Sequence, residues 1–467
     1  MRSQSQTLSL PRSSLPVRAG LLPMFLLTLL AGCQQGPFPS TLAALENTPP
    51  APVTLDIREW RTDEGARVLF VPTRTLPIVD VRLVFAAGSS RDGDLPGVAR
   101  MTSALIGEGA ETLSVDDIAR RFEDLGVNFS TSSYRDMGVI ELRSLSDPQY
   151  LRPAVDLMIP VISAPNFPLT SLDRVRRQTL IAIQRQKQVP GPQVHDRYNE
   201  VLFGEHPYAH PSEGTSASLK AMGRADLFAF HKQYYRAANA VIALTGDLDE
   251  EQARALAARI SAALPGGDKP EPLPRATTAK KGVREHLTFD SSQTHILIGQ
   301  QSIWRGHPDR VPLYVGNQIL GGGGFSSILM DEVRQQRGLV YGISSGFSPM
   351  SAAGPFSIQL QTATDNASGA LALTLELLND FIATGPTEQQ LRDAVDNIIG
   401  SSALDVAEND DIVGHLGSIG FYDLPLDYLS WFDAQVRQVT VEDIRAAFAR
   451  HVQPEALHIV SIGRQAP

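Results

Sequence analysis

The sequence predicts an α+β protein of two similar domains, each a largely antiparallel sheet covered by helices. Short β-branched runs alternate with amphipathic helical stretches, and the order of elements recurs in the two halves of the chain. Between the halves, Pro265 to Pro274 holds four prolines and two glycines in ten residues, which neither a helix nor a central strand tolerates. The domains accordingly run over 53–264 and 285–467, with a linker at 265–284.

In the first half, Val68-Leu69-Phe70-Val71 and Ile78 to Phe85 are alternating β-branched runs that predict strands. A helix follows over Val98 to Ile106. Another spans Val115 to Leu125, with Ser114 as N-cap and Asp116 and Asp117 in its first turn, where acids complement the helix dipole. Val139 to Leu145 predicts a strand, 151–163 and 171–188 amphipathic helices, 224–234 a further helix, and Ala240 to Thr245 a closing strand. In the second half the strands are His295 to Gly299, Tyr341 to Ser344, Phe356 to Leu360 and Leu457 to Ile462. Helices are expected over Arg310 to Leu320, after a glycine-rich turn, and over 367–383 and 387–403. The shared order points to duplication, although residue identity between the halves is weak.

The N-terminus carries an address. Arg2, Arg12 and Arg18 precede an apolar run, Leu21 to Leu30, too short to span a bilayer as a mature helix. Residues 1–32 are expected to be a signal peptide. Leu30-Ala31-Gly32-Cys33 resembles the bacterial lipoprotein signal, in which the Cys becomes the lipidated first residue; an incidental Cys behind an ordinary secretory signal is the alternative. Cys33 is the only cysteine in 467 residues, so no intrachain disulfide forms. Gln34 in the next position favours the outer membrane, facing the periplasm, and one lipidated residue would anchor the chain without a spanning helix. Residues 33–52, with Pro37, Pro39, Pro49, Pro50 and Pro52, predict an extended tether. Without residues 1–32 the chain has 38 basic residues against 51 acidic ones, a formal charge of −13, which argues against nucleic acid as a partner.

The stretch Phe85-Ala86-Ala87-Gly88-Ser89-Ser90-Arg91, followed by Gly97-Val98-Ala99-Arg100-Met101-Thr102-Ser103-Ala104, resembles the approach to the active-site helix of pitrilysin-type (M16) zinc peptidases. The resemblance continues through Asn166-Phe167, Gly204-Glu205-His206-Pro207-Tyr208, Phe230 to Tyr235 with Asn239, and Thr245-Gly246-Asp247. It resumes at Ile319 to Ser327 and at Glu332 to Tyr341, and so covers nearly all of 55–465. It implies the M16 fold of LuxS/MPP-like domains.

It also implies a loss. Where the family has Gly-Leu-Ala-His-x-x-Glu-His, this chain has Arg100 at the first His, Ser103 at the Glu and Ala104 at the second His. Zinc needs imidazole, thiolate or carboxylate ligands, and its bound water needs a base. The family's third ligand is a Glu on a helix that reads Arg174 to Lys187 here, without an acidic residue. No zinc or other cofactor is expected in this chain. Glu205, His206 and His210 are close in sequence, but Pro207 breaks the helix that an i, i+4 His pair would need; His195, His231, His295 and His415 are scattered.

Arg334 and Tyr341 match an Arg and a Tyr that the family uses opposite the zinc, as a cationic fork and a phenol aimed at a developing oxyanion. Gly338 is expected to end the helix and Tyr341 to start the next strand. Gly321, Gly322, Gly323 and Gly324 lack the Lys-Ser/Thr of a phosphate loop. In the family this loop lies near the substrate channel. Ile328 stands where the family often has Arg.

Some bacterial M16 enzymes are split between a zinc-bearing chain and a second chain that lacks the motif but supplies the Arg/Tyr pair and half of the chamber. This sequence resembles the second kind. The expectation is a lipid-anchored subunit that pairs with a zinc-bearing M16 chain, handles peptides, and is inactive alone. A peptide-binding or scaffolding lipoprotein with no role in proteolysis is the alternative from another class, and an autonomous peptidase using other residues is a third.

Overall fold

The computed structural model describes residues 53–276 and 281–467. The signal peptide, the tether, Cys33 and positions 277–280 of the linker lie outside the described residues. Among the described residues, no helix is long and apolar enough to cross a membrane.

The first half contributes strands β1 (Arg58–Arg61), β2 (Arg67–Pro72), β3 (Ile78–Phe85), the two-residue β4 (Gly109–Ala110) and β5 (Leu113–Ser114), β6 (Asn128–Ser133), β7 (Gly138–Leu145) and β8 (Ala240–Gly246). Its helices are α1 (Val98–Leu105), α2 (Val115–Asp124), α3 (Pro148–Ser163), α4 (Leu169–Gln186), α5 (Pro190–Phe203), α6 (Ser216–Ala221), α7 (Arg224–Tyr234) and α8 (Glu250–Ala263). The second half contributes β9 (Arg284–Thr288), β10 (Gln293–Gln301), β11 (Val340–Phe347), β12 (Pro355–Ala363) and β13 (His458–Gly463). With them come α9 (Arg310–Asn317), α10 (Ala367–Thr384), α11 (Glu388–Ser401), α12 (Asn409–Phe421), α13 (Tyr428–Gln438) and α14 (Val441–His451).

The two sheets share one topology. The first is ordered β1-β2-β8-β3-β7-β6 and the second β9-β13-β10-β12-β11. Apart from β1, the five strands follow the same chain order and occupy the same places. Each sheet holds one parallel pair, β2 with β8 and β9 with β13, and is otherwise antiparallel. The edge strands β6 and β11 are thus counterparts. Strand β9 takes in Arg284, so the second sheet begins inside the expected linker.

What joins the halves is an exchange of helices. Val68, Phe70, Val81 and Leu83 face the first half's own helices, while Leu69, Val71, Val84 and Val241 face the opposite way. That second face is covered by α12 from the other half, through Ile412, Val413, Leu416 and Ile419. Gly417 and Gly420 let the helix lie close: a Cβ on Gly420 would meet Val241 Cγ1 at 2.4 Å. In return α5 covers the second sheet, packing Val194, Tyr198 and Leu202 on Leu297, Val460 and Ile462. A sheet buried on both faces explains why Val68 to Val71 reads as an unbroken apolar run.

Helices α5, α6, α8, α12, α13 and α14 and strands β1, β4, β5, β6 and β9 are additions to the sequence-based elements. The expected Arg310–Leu320 helix is α-helical to Asn317 and then widens into a π-helical turn, Gln318–Gly322.

Candidate functional site

Helix α1 is built from its N-terminal end. Asp92 accepts hydrogen bonds from the Gly97 and Ala99 amides at 2.7 and 2.8 Å, satisfying donors that the first helical turn leaves free. Gly97 sits at φ +92°, and a Cβ there would lie 2.8 Å from the Glu213 carbonyl oxygen. Burial pushes the Asp92 carboxyl up to about 7, against the two amides that favour the anion.

Arg100 and Ala104, one turn apart, share the exposed side of α1, and Ser103 is 3% exposed. The carbonyl of Ser103 accepts from Thr131 Oγ1 at 2.8 Å, which ties α1 to edge strand β6. Helix α4 packs against α1. It presents Arg177 and Ile181 to solvent, and Arg174 is paired with Glu108. The residues do not fit a zinc ion: a guanidinium and a methyl stand in the ligand places, and the base position is a buried hydroxyl.

In the second half, Arg334 lies in a π-helical segment, Met330–Gln336, that packs against β11. Its guanidinium stacks over Phe325, 5.1 Å from the ring centroid, and Nη1 approaches Met330 Sδ at 3.8 Å. Phe325 is 67% exposed, so this stack faces solvent. Gly338, at φ +62°, ends the segment. Tyr341 is the extra residue of a β-bulge, because Val340 pairs with Thr362 and Gly342 with the adjacent Gln361. Bulges re-aim side chains at sheet edges, and Tyr341 is 58% exposed. A groove of about 380 Å³ begins beside it, lined by His195, His295, Met330, Gly342, Ser344 and Gln361. Burial holds both imidazoles below their usual range, which keeps them neutral near pH 7. The arrangement offers one cation, one phenol and neutral polar groups along an edge strand.

The glycine turn precedes this segment. Only Gly324 of its four glycines has a positive φ, +60°. Gly321 is needed for close approach, since a Cβ would meet Ser345 Oγ at 2.5 Å; Gly322 and Gly323 pack on Asn317 and Gln318 of the preceding turn.

The loop histidines serve structure. His206 Nε2 meets the Pro274 carbonyl at 3.0 Å, and Nδ1 accepts from the Tyr208 amide at 3.2 Å. Sequence reasoning missed His307, Asp309 and His451, whose ligand atoms lie within 4.8 Å of one another. Their separation along the chain gives no motif. Asp309 takes both nitrogens of the Arg450 fork at 3.0 and 3.1 Å and His451 Nε2 at 2.7 Å, so the group clamps the start of α9 to the end of α14.

Comparison with known proteins follows the same lines. The family described as "Peptidase M16 inactive domain" matches residues 221–398, and that described as "Insulinase (Peptidase family M16)" matches 67–216. The crystal structure of a peptidase M16 inactive domain from Pseudomonas fluorescens superposes with a TM-score of 0.86 at 45% identity, covering 88% of this chain and 99% of that one. A protease from Helicobacter pylori shares the fold at 17% identity, TM-score 0.81, with 88% and 100% covered. An uncharacterized zinc protease of Mycobacterium bovis is 27% identical over 392 residues, 82% of this chain and 88% of the relative.

Proposed function

The chain belongs to the M16 peptidase family, and we propose that it serves there as the zinc-free subunit of a two-chain peptidase. The observation that carries this reading is an asymmetry between its two candidate surfaces. The face formed by α1 and α4 has no residue fit to be a zinc ligand or base at the family's positions, whereas Arg334 and Tyr341 remain presented on the edge of the second sheet. A fold kept for packing alone has no need of a half-buried guanidinium held by an exposed ring, or of a tyrosine turned outward at a bulge.

On this reading the partner chain supplies the zinc and the activated water. This chain supplies half of the chamber. A substrate peptide adds a strand to an exposed sheet edge through main-chain hydrogen bonds, which place few demands on its sequence. Arg334 and Tyr341 then donate to the scissile carbonyl oxygen and hold charge that develops there. Anchored through Cys33, the assembly would face the periplasm.

The test is reconstitution. The chain from Gln34 onward is mixed with a zinc-bearing M16 chain from the same organism, and cleavage of an unfolded-peptide pool is followed with and without a chelator. The reading expects cleavage by the mixture above that of the partner alone, stopped by the chelator. No complex and no gain in cleavage would favour a scaffolding role.

A further inference from the structure

A second cavity, of about 230 Å³, lies where α9, α11, α12 and α13 meet. Two arginines line it, Arg305 in the loop after β10 and Arg310 at the start of α9. Neither makes an ion pair with a carboxylate among the described residues. Arg305 Nε and Arg310 Nη1 are buried and meet no hydrogen-bond acceptor among the described residues. Both guanidiniums are instead stacked on rings: Arg305 lies 5.3 Å from the Tyr422 centroid, and Arg310 lies 5.2 and 5.6 Å from those of Tyr428 and Phe432. The Tyr428 hydroxyl, also buried, has no partner among the described residues.

Stacking fixes a guanidinium plane and leaves its edge of N–H donors for something else. Two such cations side by side repel each other, and burial costs each of them hydration; native proteins rarely leave this uncompensated. Burial and the neighbouring Arg305 together press the Arg310 guanidinium down to about 10. The two acids that line the cavity do not answer this charge. Asp433 accepts from the Val53 amide while its buried Oδ2 meets no partner among the described residues, and burial raises its carboxyl, which favours the neutral form. Asp405 is exposed at the rim.

We infer that this cavity binds a small doubly charged oxyanion of the phosphate class, held by the Arg305 and Arg310 forks and the Tyr428 hydroxyl. Two positive charges match a dianion, and fork donors match tetrahedral phosphate oxygens. Ser401 and Ser402 line the same cavity, but their hydroxyls donate to the Ile398 and Ile399 carbonyls, so the anion is held by the two arginines and the phenol. The volume admits a phosphomonoester as well as the bare ion, so a soluble phosphate and an exposed lipid headgroup are both sources of this chemistry. The inference is independent of the peptidase reading.

The test is calorimetry and thermal unfolding of the chain from Gln34 onward, at fixed ionic strength set with chloride. Inorganic phosphate is one arm and vesicles containing phosphatidic acid the other. The expected result is saturable one-to-one binding in at least one arm, and a Tm rise of a few degrees where inorganic phosphate exceeds its Kd by about a hundredfold. Binding to phosphate itself identifies a soluble source; binding to vesicles alone identifies a headgroup. Arg305→Gln and Arg310→Gln should each abolish the response and, in phosphate-free buffer, raise Tm by removing a repelled cation. If those variants fail to fold, Tyr428→Phe should weaken binding several-fold. Absence of binding in both arms overturns the inference, as does a response that all three variants retain.

Discussion

The Arg334 guanidinium lies over the Phe325 ring, 5.1 Å from its centroid, while Phe325 itself is 67% exposed. A cation held this way is oriented but not neutralised, and its donors stay available to an incoming oxygen. In the reconstituted complex, Arg334→Ala is therefore expected to lower kcat by about 10²–10³-fold, the usual cost of one oxyanion donor. Tyr341→Phe should act in the same direction. Both chains should still co-elute. Loss of the complex, or unchanged kcat, would show that the pair has another role.

Helix α12 gives a test of the exchange between halves. Gly420→Ala places a methyl 2.4 Å from Val241 Cγ1 and 2.9 Å from Leu69 Cδ1, and overpacking of this kind costs about 1–3 kcal/mol. Gly414 has nothing within 4 Å of its Cβ position, so Gly414→Ala should stabilise by about 0.5–1 kcal/mol through helix propensity. Denaturant midpoints of the two variants should move in opposite directions.

Tyr208 joins three segments. Its hydroxyl donates to Asp136 Oδ1 at 2.7 Å and accepts from the Ala352 amide at 3.0 Å, and Asp136 Oδ2 accepts from the Ser351 amide at 2.8 Å. Tyr208→Phe strands both a buried carboxylate oxygen and a buried amide, at a cost of about 1–3 kcal/mol for each unsatisfied group. Hydrogen exchange should rise at Ala352 before it rises in the sheet cores. Equal protection in variant and wild type would contradict this.

Asp92 makes a pH prediction. Its carboxyl is raised from 3.8 to about 7 in the folded chain, so between these values the folded state binds more protons than the unfolded one. The stability it contributes is full below about pH 4 and is lost as pH rises through about 7. Buried histidines such as His231 and His458, lowered by desolvation, act in the opposite sense below about pH 6.5, so the wild-type curve alone does not isolate Asp92. The difference does: relative to wild type, Asp92→Asn should gain stability as pH rises from about 4 to about 7. A difference that does not vary with pH would contradict the raised carboxyl.

Much of the fold was legible wherever a local signal existed. The sequence marks Ser114 as an N-cap, and its hydroxyl accepts from the Asp117 amide in a full capping box. Gly338, at φ +62°, ends the helical segment before the strand that holds Tyr341, as its place in the sequence implies. The exchanged helices were not legible. Helix α5 begins Pro190-Gly191-Pro192, which reads as a break, yet prolines in a first turn cost nothing because those amides have no helical partner. Helix α12 carries Gly414, Gly417 and Gly420, and only packing against the other half's sheet reveals why. Strand β6, Asn128-Phe129-Ser130-Thr131-Ser132-Ser133, is a polar edge strand without alternation. At the site, Arg334 and Tyr341 came from a resemblance rather than from spacing. The Arg305–Arg310 cavity and the His307–Asp309–His451 clamp are assembled from distant segments, and no sequence window contains them.

The expectation from Arg100, Ser103 and Ala104 is that this chain has no zinc catalysis of its own. Its most direct test is the peptidase activity of the chain purified alone, from Gln34 onward, against the unfolded-peptide pool with zinc added and with a chelator. No cleavage is expected in either condition. Cleavage by the lone chain that needs zinc and stops with the chelator would contradict it.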